Sequence, residues 1–185
     1  MITFETANTT NDLEGILELQ RKNLADSLTS EEISSQGFVT VNHTLDQLTK
    51  LNNNEKHIVA KDDGHIVGYL LAMTQASQWD IPILIPMFRI FNETCLNGKA
   101  IPDYNYIVVG QVCIDKSYRG QGLFDNCYET YKEYYKDKYD FAITEIARTN
   151  TRSLNAHKRV GFKEIKDYVS PDNVEWVIVV WDWNR

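Results

Sequence analysis

Cysteine and proline are scarce in this 185-residue chain, with three and four copies. Cys95, Cys113 and Cys127 are odd in number and form no Cys-x-x-Cys pair. That pattern argues against a disulfide framework or a thiolate zinc site, and it suits a reducing compartment. His43, His57 and His65 lack metal-ligand spacing and are expected on the surface, so no metal is expected. Long apolar runs are missing too. The most apolar stretch, Ile81 to Phe91, spans about eleven residues, too few for a bilayer. It is also interrupted by two prolines and an arginine. Basic charge is in deficit, with 19 Lys and Arg against 26 Asp and Glu and a net charge of −7. A nucleic-acid partner is therefore not expected, because Lys and Arg on phosphates dominate such binding. An acidic surface suits cationic small molecules or basic peptides. Met1-Ile2-Thr3-Phe4-Glu5 shows no basic segment leading into an apolar one, so no signal peptide is expected and the expected location is cytoplasmic.

Apolar residues make up 43% of the chain and charged residues 24%, which is the composition of a globular protein. The length suits one domain over 1–185. Met1 to Glu5 reads as a short strand, and Leu13, Ile16, Leu17 and Leu24 mark the buried stripe of a first helix. Thr29-x-x-Glu32 and Thr44-x-x-Gln47 fit capping boxes for helices near 30–36 and 45–52. Strands at 57–61 and 65–73 flank Asp62-Asp63-Gly64, a hairpin turn. Residues 74–102 mix Trp79, Pro82, Pro86, Phe88 and Phe91 and read as a partly helical excursion from the sheet. Strands follow at 106–114 and 141–147, with a helix at 121–136 between them. That helix is expected to bury Leu123, Cys127, Tyr131 and Tyr134. A helix at 151–160 ends at Gly161, and 162–169 and 174–182 form a final strand pair. The result is one mixed α/β domain.

The stretch Arg119-Gly120-Gln121-Gly122 joins a strand to a helix. A helix N-terminus leaves backbone N–H groups unpartnered and carries partial positive charge. Glycine removes the Cβ that would hold a phosphate away from those donors. The stretch therefore reads as a phosphate cradle. A P-loop would need four residues between its glycines and then Lys-Ser/Thr, and neither is present. A dinucleotide fingerprint would need a third glycine where Asp125 stands.

The cradle resembles the Arg/Gln-x-x-Gly-x-Gly/Ala motif of the GNAT superfamily of acyl-CoA-dependent N-acyltransferases. Arg119 and Gly122 match, and Phe124 stands where Gly or Ala is usual. A second stretch is similar to that family's next strand and helix. Thr144-Glu145-Ile146, Asn150, Ser153, His157 and Gly161-Phe162 fall at the family's spacing, with Ser153 replacing Ala and His157 replacing Tyr. The resemblance covers roughly 1–182, and 104–162 carries its specificity. It implies a central mixed, mostly antiparallel sheet of six or seven strands, splayed at the acyl-CoA site, with helices on both faces.

It also implies acetyl-CoA as acyl donor. Val112, Cys113 and Ile114 would pair with pantetheine through their backbone. Amides of Gly120, Gln121, Gly122, Leu123 and Phe124 would hold the pyrophosphate, with Arg119 at the turn. Asn150 and Ser153 would line the other side. By the same resemblance Glu145 stands where some members keep a general base. His157 stands where the general acid to the thiolate sits, acting if protonated, or as a plain hydrogen-bond donor to the sulfur. Cys113 is not expected to be a nucleophile, because direct transfer is usual in the family. The acceptor would be a small-molecule or peptide amine, faced by the segments 25–45 and 74–104. The apolar excursion is open to two readings, an acceptor wall or a homodimer surface. A non-catalytic acyl-CoA-binding module of the same fold is the alternative.

Overall fold

The segment Val67 to Met73 carries no charged residue, and an unbroken apolar run of that kind belongs to a strand covered on both faces. In the structure, a computed structural model describing residues 1–36 and 38–183, every residue of this segment is buried. Gly37, within the expected acceptor-side segment, and Asn184 and Arg185 at the end of the expected domain lie outside the described residues. The strands are β1 (Ile2–Thr6), β2 (Ile58–Asp62), β3 (His65–Met73), β4 (Cys95–Leu96), β5 (Lys99–Ala100), β6 (Tyr106–Ile114), β7 (Phe141–Ala147), β8 (Lys163–Val169) and β9 (Glu175–Asp182). Seven of them form one sheet in the order β1-β2-β3-β6-β7-β9-β8, and β4 and β5 pair separately. Neighbours in the large sheet are antiparallel except β6 and β7, which run parallel.

The helices are α1 (Thr10–Arg21), α2 (Ser30–Gln36), α3 (Leu45–Asn54), α4 (Ile85–Asn92), α5 (Leu123–Tyr135) and α6 (Thr151–Val160). Alternate side chains of the sheet enter two separate cores. Val59, Tyr69, Leu71, Val108, Ile143 and Ile178 pack with residues of α1, α3 and α4. Ile58, Leu70, Ile107, Ala142, Val177 and Val179 pack with residues of α5. Helix α5 is the crossover between the parallel strands β6 and β7, and it lies across β1, β2, β3 and β6.

Capping boxes start α3 at Thr44 and Gln47 and hold Thr29 to Glu32 at the start of α2. Asp63 and Gly64 turn the β2–β3 hairpin with φ of 47° and 82°, the pair of positive values a two-residue turn requires. Some expectations change. Tyr134 is 44% exposed, because the i, i+4 row from Leu123 continues to Tyr135 instead. In α1 it is Leu19 and Gln20 that join Leu13 and Ile16 in burial, while Leu17 and Leu24 are half-buried. His43 and His57 are buried rather than on the surface. The Ala72 N–H donates to His57 Nδ1 at 3.1 Å, and Nε2–H donates to the Leu48 carbonyl at 3.3 Å. The imidazole thus serves a backbone group at the irregular register between Leu71 and Ala72. In the excursion Met87, Phe88 and Phe91 belong to the core, while Trp79 and Ile83 are exposed.

Candidate active site

Three residue pairs, from Tyr106↔Phe141 to Val108↔Ile143, join β6 to β7, and then the strands part. At the fork the Thr144 hydroxyl donates to the Val109 carbonyl at 2.8 Å, so a side chain replaces the missing ladder bond. Beyond it β6 stays with β3 while β7 follows β9 along its whole length. The opening leads into a cleft of about 770 Å³. Val112, Cys113 and Ile114 of β6 form one wall, the 119–124 turn one end, and Asn150, Ser153 and their neighbours on α6 the opposite wall. A smaller cavity of about 90 Å³ continues past the fork to Glu145.

The 119–122 turn owes its glycines to its backbone. Gly120 and Gly122 have φ of 75° and 82°, in the left-handed region where an L side chain is strained. A Cβ on Gly120 would touch nothing, so the backbone rather than crowding demands glycine there. Gly122 is the N-cap of α5, and no side chain caps that helix. Its first N–H groups therefore retain their capacity for an anion at the cleft end. The α6 N-terminus, on the opposite wall, is capped by the Asn150 side chain, which accepts from the Ser153 N–H at 3.2 Å.

Arg119 serves the walls. Its Nε donates to the Ile114 carbonyl at 3.0 Å, and a terminal nitrogen donates to Asn23 Oδ1 at 2.8 Å. Gln121 donates its side-chain amide to the Ser117 carbonyl at 2.9 Å, and it is absent from the cleft wall, whereas Gly120, Gly122, Leu123 and Phe124 are on it. The Phe124 ring stands 5.0 Å from Tyr128 and 5.3 Å from His157, with Arg159 5.9 Å above it. A bulky residue at this turn is accommodated because it turns back onto the aromatic core. Burial pushes the Cys113 thiol up to about 12, so it stays protonated and is a poor nucleophile.

Glu145 and His157 both face the small cavity, but burial moves them in opposite directions. It raises the Glu145 carboxyl to about 7, against a hydrogen bond from the Tyr168 hydroxyl that lowers it. It lowers His157 to about 4. His157 Nδ1–H donates to the Ser153 carbonyl at 2.8 Å, and Nε2 accepts from the Tyr128 hydroxyl at 2.6 Å. Burial thus favours the neutral imidazole, and both of its nitrogens are engaged within the protein.

Within the segment 25–45 that the sequence pointed to, residues 38–40 line the cavity, and the hydrogen bonds that hold this roof had no signal in the sequence. Residues 38–43 cross the fork and are pinned at both ends. The Val39 N–H donates to the Asn23 carbonyl at 3.0 Å, and Gln111 Nε2 donates to the Val41 carbonyl at 2.9 Å. Gln111 Oε1 in turn accepts from Tyr69 at 2.6 Å and from Gln20 at 3.0 Å. Among the described residues no group of three or more His, Cys, Asp or Glu is placed to hold a metal ion, and no helix is long and apolar enough to cross a membrane.

A family model, the acetyltransferase (GNAT) family, matches residues 22–162. No curated protein sequence matches the chain. Among solved structures, the fold is similar to the ribosomal-protein-S18-alanine N-acetyltransferase from Escherichia coli, at 14% identity and a TM-score of 0.63 over 98% of this chain and 94% of that one. An N-acetyltransferase from Staphylococcus aureus Mu50 is 17% identical with a TM-score of 0.63, covering 98% of both chains. A putative acetyltransferase from Salmonella typhimurium, solved with its cofactor acetyl-CoA, is 12% identical with a TM-score of 0.63, over 100% of this chain and 95% of that one.

Proposed function

Because this chain belongs to the GNAT acetyltransferase family, we propose that it transfers an acetyl group from acetyl-CoA to the nitrogen of a primary amine by direct attack on the thioester. One juxtaposition carries the reading. An uncapped, glycine-led helix start lies at one end of the cleft, and a buried carboxyl poised near neutral lies past the fork at the other. Those residues suit acetyl-CoA as a substrate. Amides of Gly120 and Gly122 to Phe124 would take its pyrophosphate, the β6 backbone at 112–114 would pair with its amide-bearing arm, and the fork would receive the thioester.

A lysine-like ammonium has a pKa near 10.4, so presenting it neutral at pH 7 costs about 4.6 kcal/mol. Glu145 is the group to take that proton, since its raised pKa brings it close to operating pH. The neutral nitrogen then forms a bond to the carbonyl carbon as the C–S bond breaks, the bonding pair leaves with sulfur as a thiolate, and the nitrogen releases its second proton to solvent water to give the neutral amide. A thiol pKa near 8.5 makes that thiolate a tolerable leaving group without a strong acid, and it is reprotonated from solvent. His157 acts here as a positioning residue, holding Tyr128 and the first turn of α6.

Isothermal titration with acetyl-CoA and CoA tests the cradle, and thiol release with an amine panel tests the chemistry. Micromolar binding is expected in the wild type. Gly122→Glu should weaken it at least about tenfold, because a carboxylate there repels the pyrophosphate. A Cβ at 122 has open space around it, with Asn126 Nδ2 nearest at 3.9 Å, and thermal melting would confirm that the variant folds. Binding without turnover of any amine would favour the acyl-CoA-binding module instead.

A further inference from the structure

The cavity past the fork has a one-sided electrostatic character. Among its described lining residues Glu145 is the only acidic one, and none is lysine or arginine. The wall around Glu145 is otherwise largely apolar, with Phe38, Val39, Ile146 and Trp176. His157, the other titratable group on the wall, is neutral. Two cations at the adjoining strands, Arg148 and Lys166, are engaged elsewhere, and Arg119 and Arg152 line the larger cleft rather than this cavity. Arg148, just past β7, pairs with Glu164 at 3.0 Å and also with Asp167, and Lys166 of β8 reaches the Glu93 carbonyl at 3.5 Å. Polar groups near Glu145 are also committed. The Thr144 hydroxyl bonds Val109, the Tyr168 hydroxyl bonds Glu145, and the Trp176 indole N–H bonds Ser170 Oγ at 3.1 Å. The roof is pinned across the fork at Asn23 and Gln111, which leaves a cavity of only about 90 Å³ beneath it.

A carboxylate flanked by aromatic rings, with no cation nearby, attracts an ammonium and repels an anion. An amino acid brings both charges. Its own carboxylate would sit within a few ångströms of Glu145, in an apolar pocket without a positive partner. We infer that the acceptor is a small primary amine with no carboxylate on the carbon that bears the nitrogen. It is an alkyl or arylalkyl amine rather than a free amino acid. The inference rests on the transferase reading above and sharpens it. The ammonium enters beside Glu145, its alkyl or aryl group lies against Phe38 and Trp176, and specificity comes from exclusion of a second negative charge.

The test compares each amino acid with its own decarboxylated amine, so that only the carboxylate differs. Phenylalanine against 2-phenylethylamine and leucine against 3-methylbutylamine are suitable pairs, since each acid has a single amine, on the carbon that bears the carboxylate. In every pair kcat/KM for the amine is expected to exceed that for the acid by at least about tenfold. Thr40, an exposed roof residue on the cavity wall, offers a converse arm. Thr40→Arg supplies the missing cation and should narrow the ratio by raising KM for the amine and lowering it for the acid. Equal or preferred use of the acids would overturn the inference while leaving the transferase reading intact. Absence of turnover for every compound, with acetyl-CoA bound, would overturn the transferase reading and the inference with it.

Discussion

At the scale of single residues, Glu145 and Tyr168 form the pair with the clearest functional signature. Burial dominates the carboxyl and raises it to about 7, and the Tyr168 hydroxyl partly offsets that by stabilising the charged form. Removing the hydroxyl leaves burial unopposed. Tyr168→Phe is therefore expected to move the acid limb of the kcat/KM profile to higher pH, from a wild-type inflection near 7. Rates measured between about pH 5 and 9 would show it, and a limb that stays in place would remove Glu145 as the titrating base. Glu145 was legible in the sequence because it falls at a fixed offset from Asn150 and Gly161-Phe162. Tyr168 was not, since it reaches Glu145 across the β7–β9–β8 pairing, and only the three-dimensional register brings them together. His157 stands in a setting that its position in the motif did not announce. The shorter imidazole reaches Tyr128 and is held neutral, and the Phe124 ring packs against it at 5.3 Å. Two departures from the family pattern thus pack against each other.

At the scale of elements, local chemistry was the most readable. Capping boxes, the Asp63-Gly64 turn, the glycine-led start of α5 and the span of α6 are each set by residues within a few positions, and the structure places them as the sequence implies. The roof at 38–43 had no such signal. Its contacts join residues far apart in sequence, such as Gln111 with Val41 and Arg119 with Asn23, and no periodic pattern encodes them. The junction of α6 and β8 gives a sharp test of local encoding. Gly161 has φ of 125°, and a Cβ there would lie 2.8 Å from the Trp181 indole nitrogen. Gly161→Ala combines backbone strain with a clash against a buried ring, so a loss of at least about 1–2 kcal/mol is expected. Urea unfolding would measure it, and an unchanged midpoint would mean that the junction relaxes freely. The lesion should act on stability first, since Gly161 is not on the cleft wall.

At the scale of the whole molecule, three of four histidines are buried, and that sets how the fold responds to acid. His43, His57 and His157 are lowered to about 4, 3 and 4, chiefly by burial. In the unfolded chain each returns to a value near 6.5. Between about pH 6.5 and 4 the unfolded state thus binds up to three protons that the folded state refuses, so stability falls as pH falls through that window. Glu145 acts in the opposite sense. Its carboxyl is raised to about 7 when folded, so below that value the folded state holds a proton that the unfolded chain releases down to its ordinary value near 4.5. Three histidines against one carboxylate leave a net uptake of about two protons on unfolding, at about 1.4 kcal/mol per proton per pH unit. Glu32, Asp12 and Asp62 have lowered values, so their loss falls mainly below that window and does not obscure it. Urea unfolding at pH 7.5, 6 and 5 is expected to show stability declining steadily toward acid. His57→Gln, which removes one titrating group, should cost stability at pH 7.5 through the lost Ala72 contact yet flatten the slope by about one proton. A profile as steep in the variant as in the wild type would mean that His57 takes up its proton without unfolding. The neutral state of the buried imidazoles would then not govern the fold's response to acid.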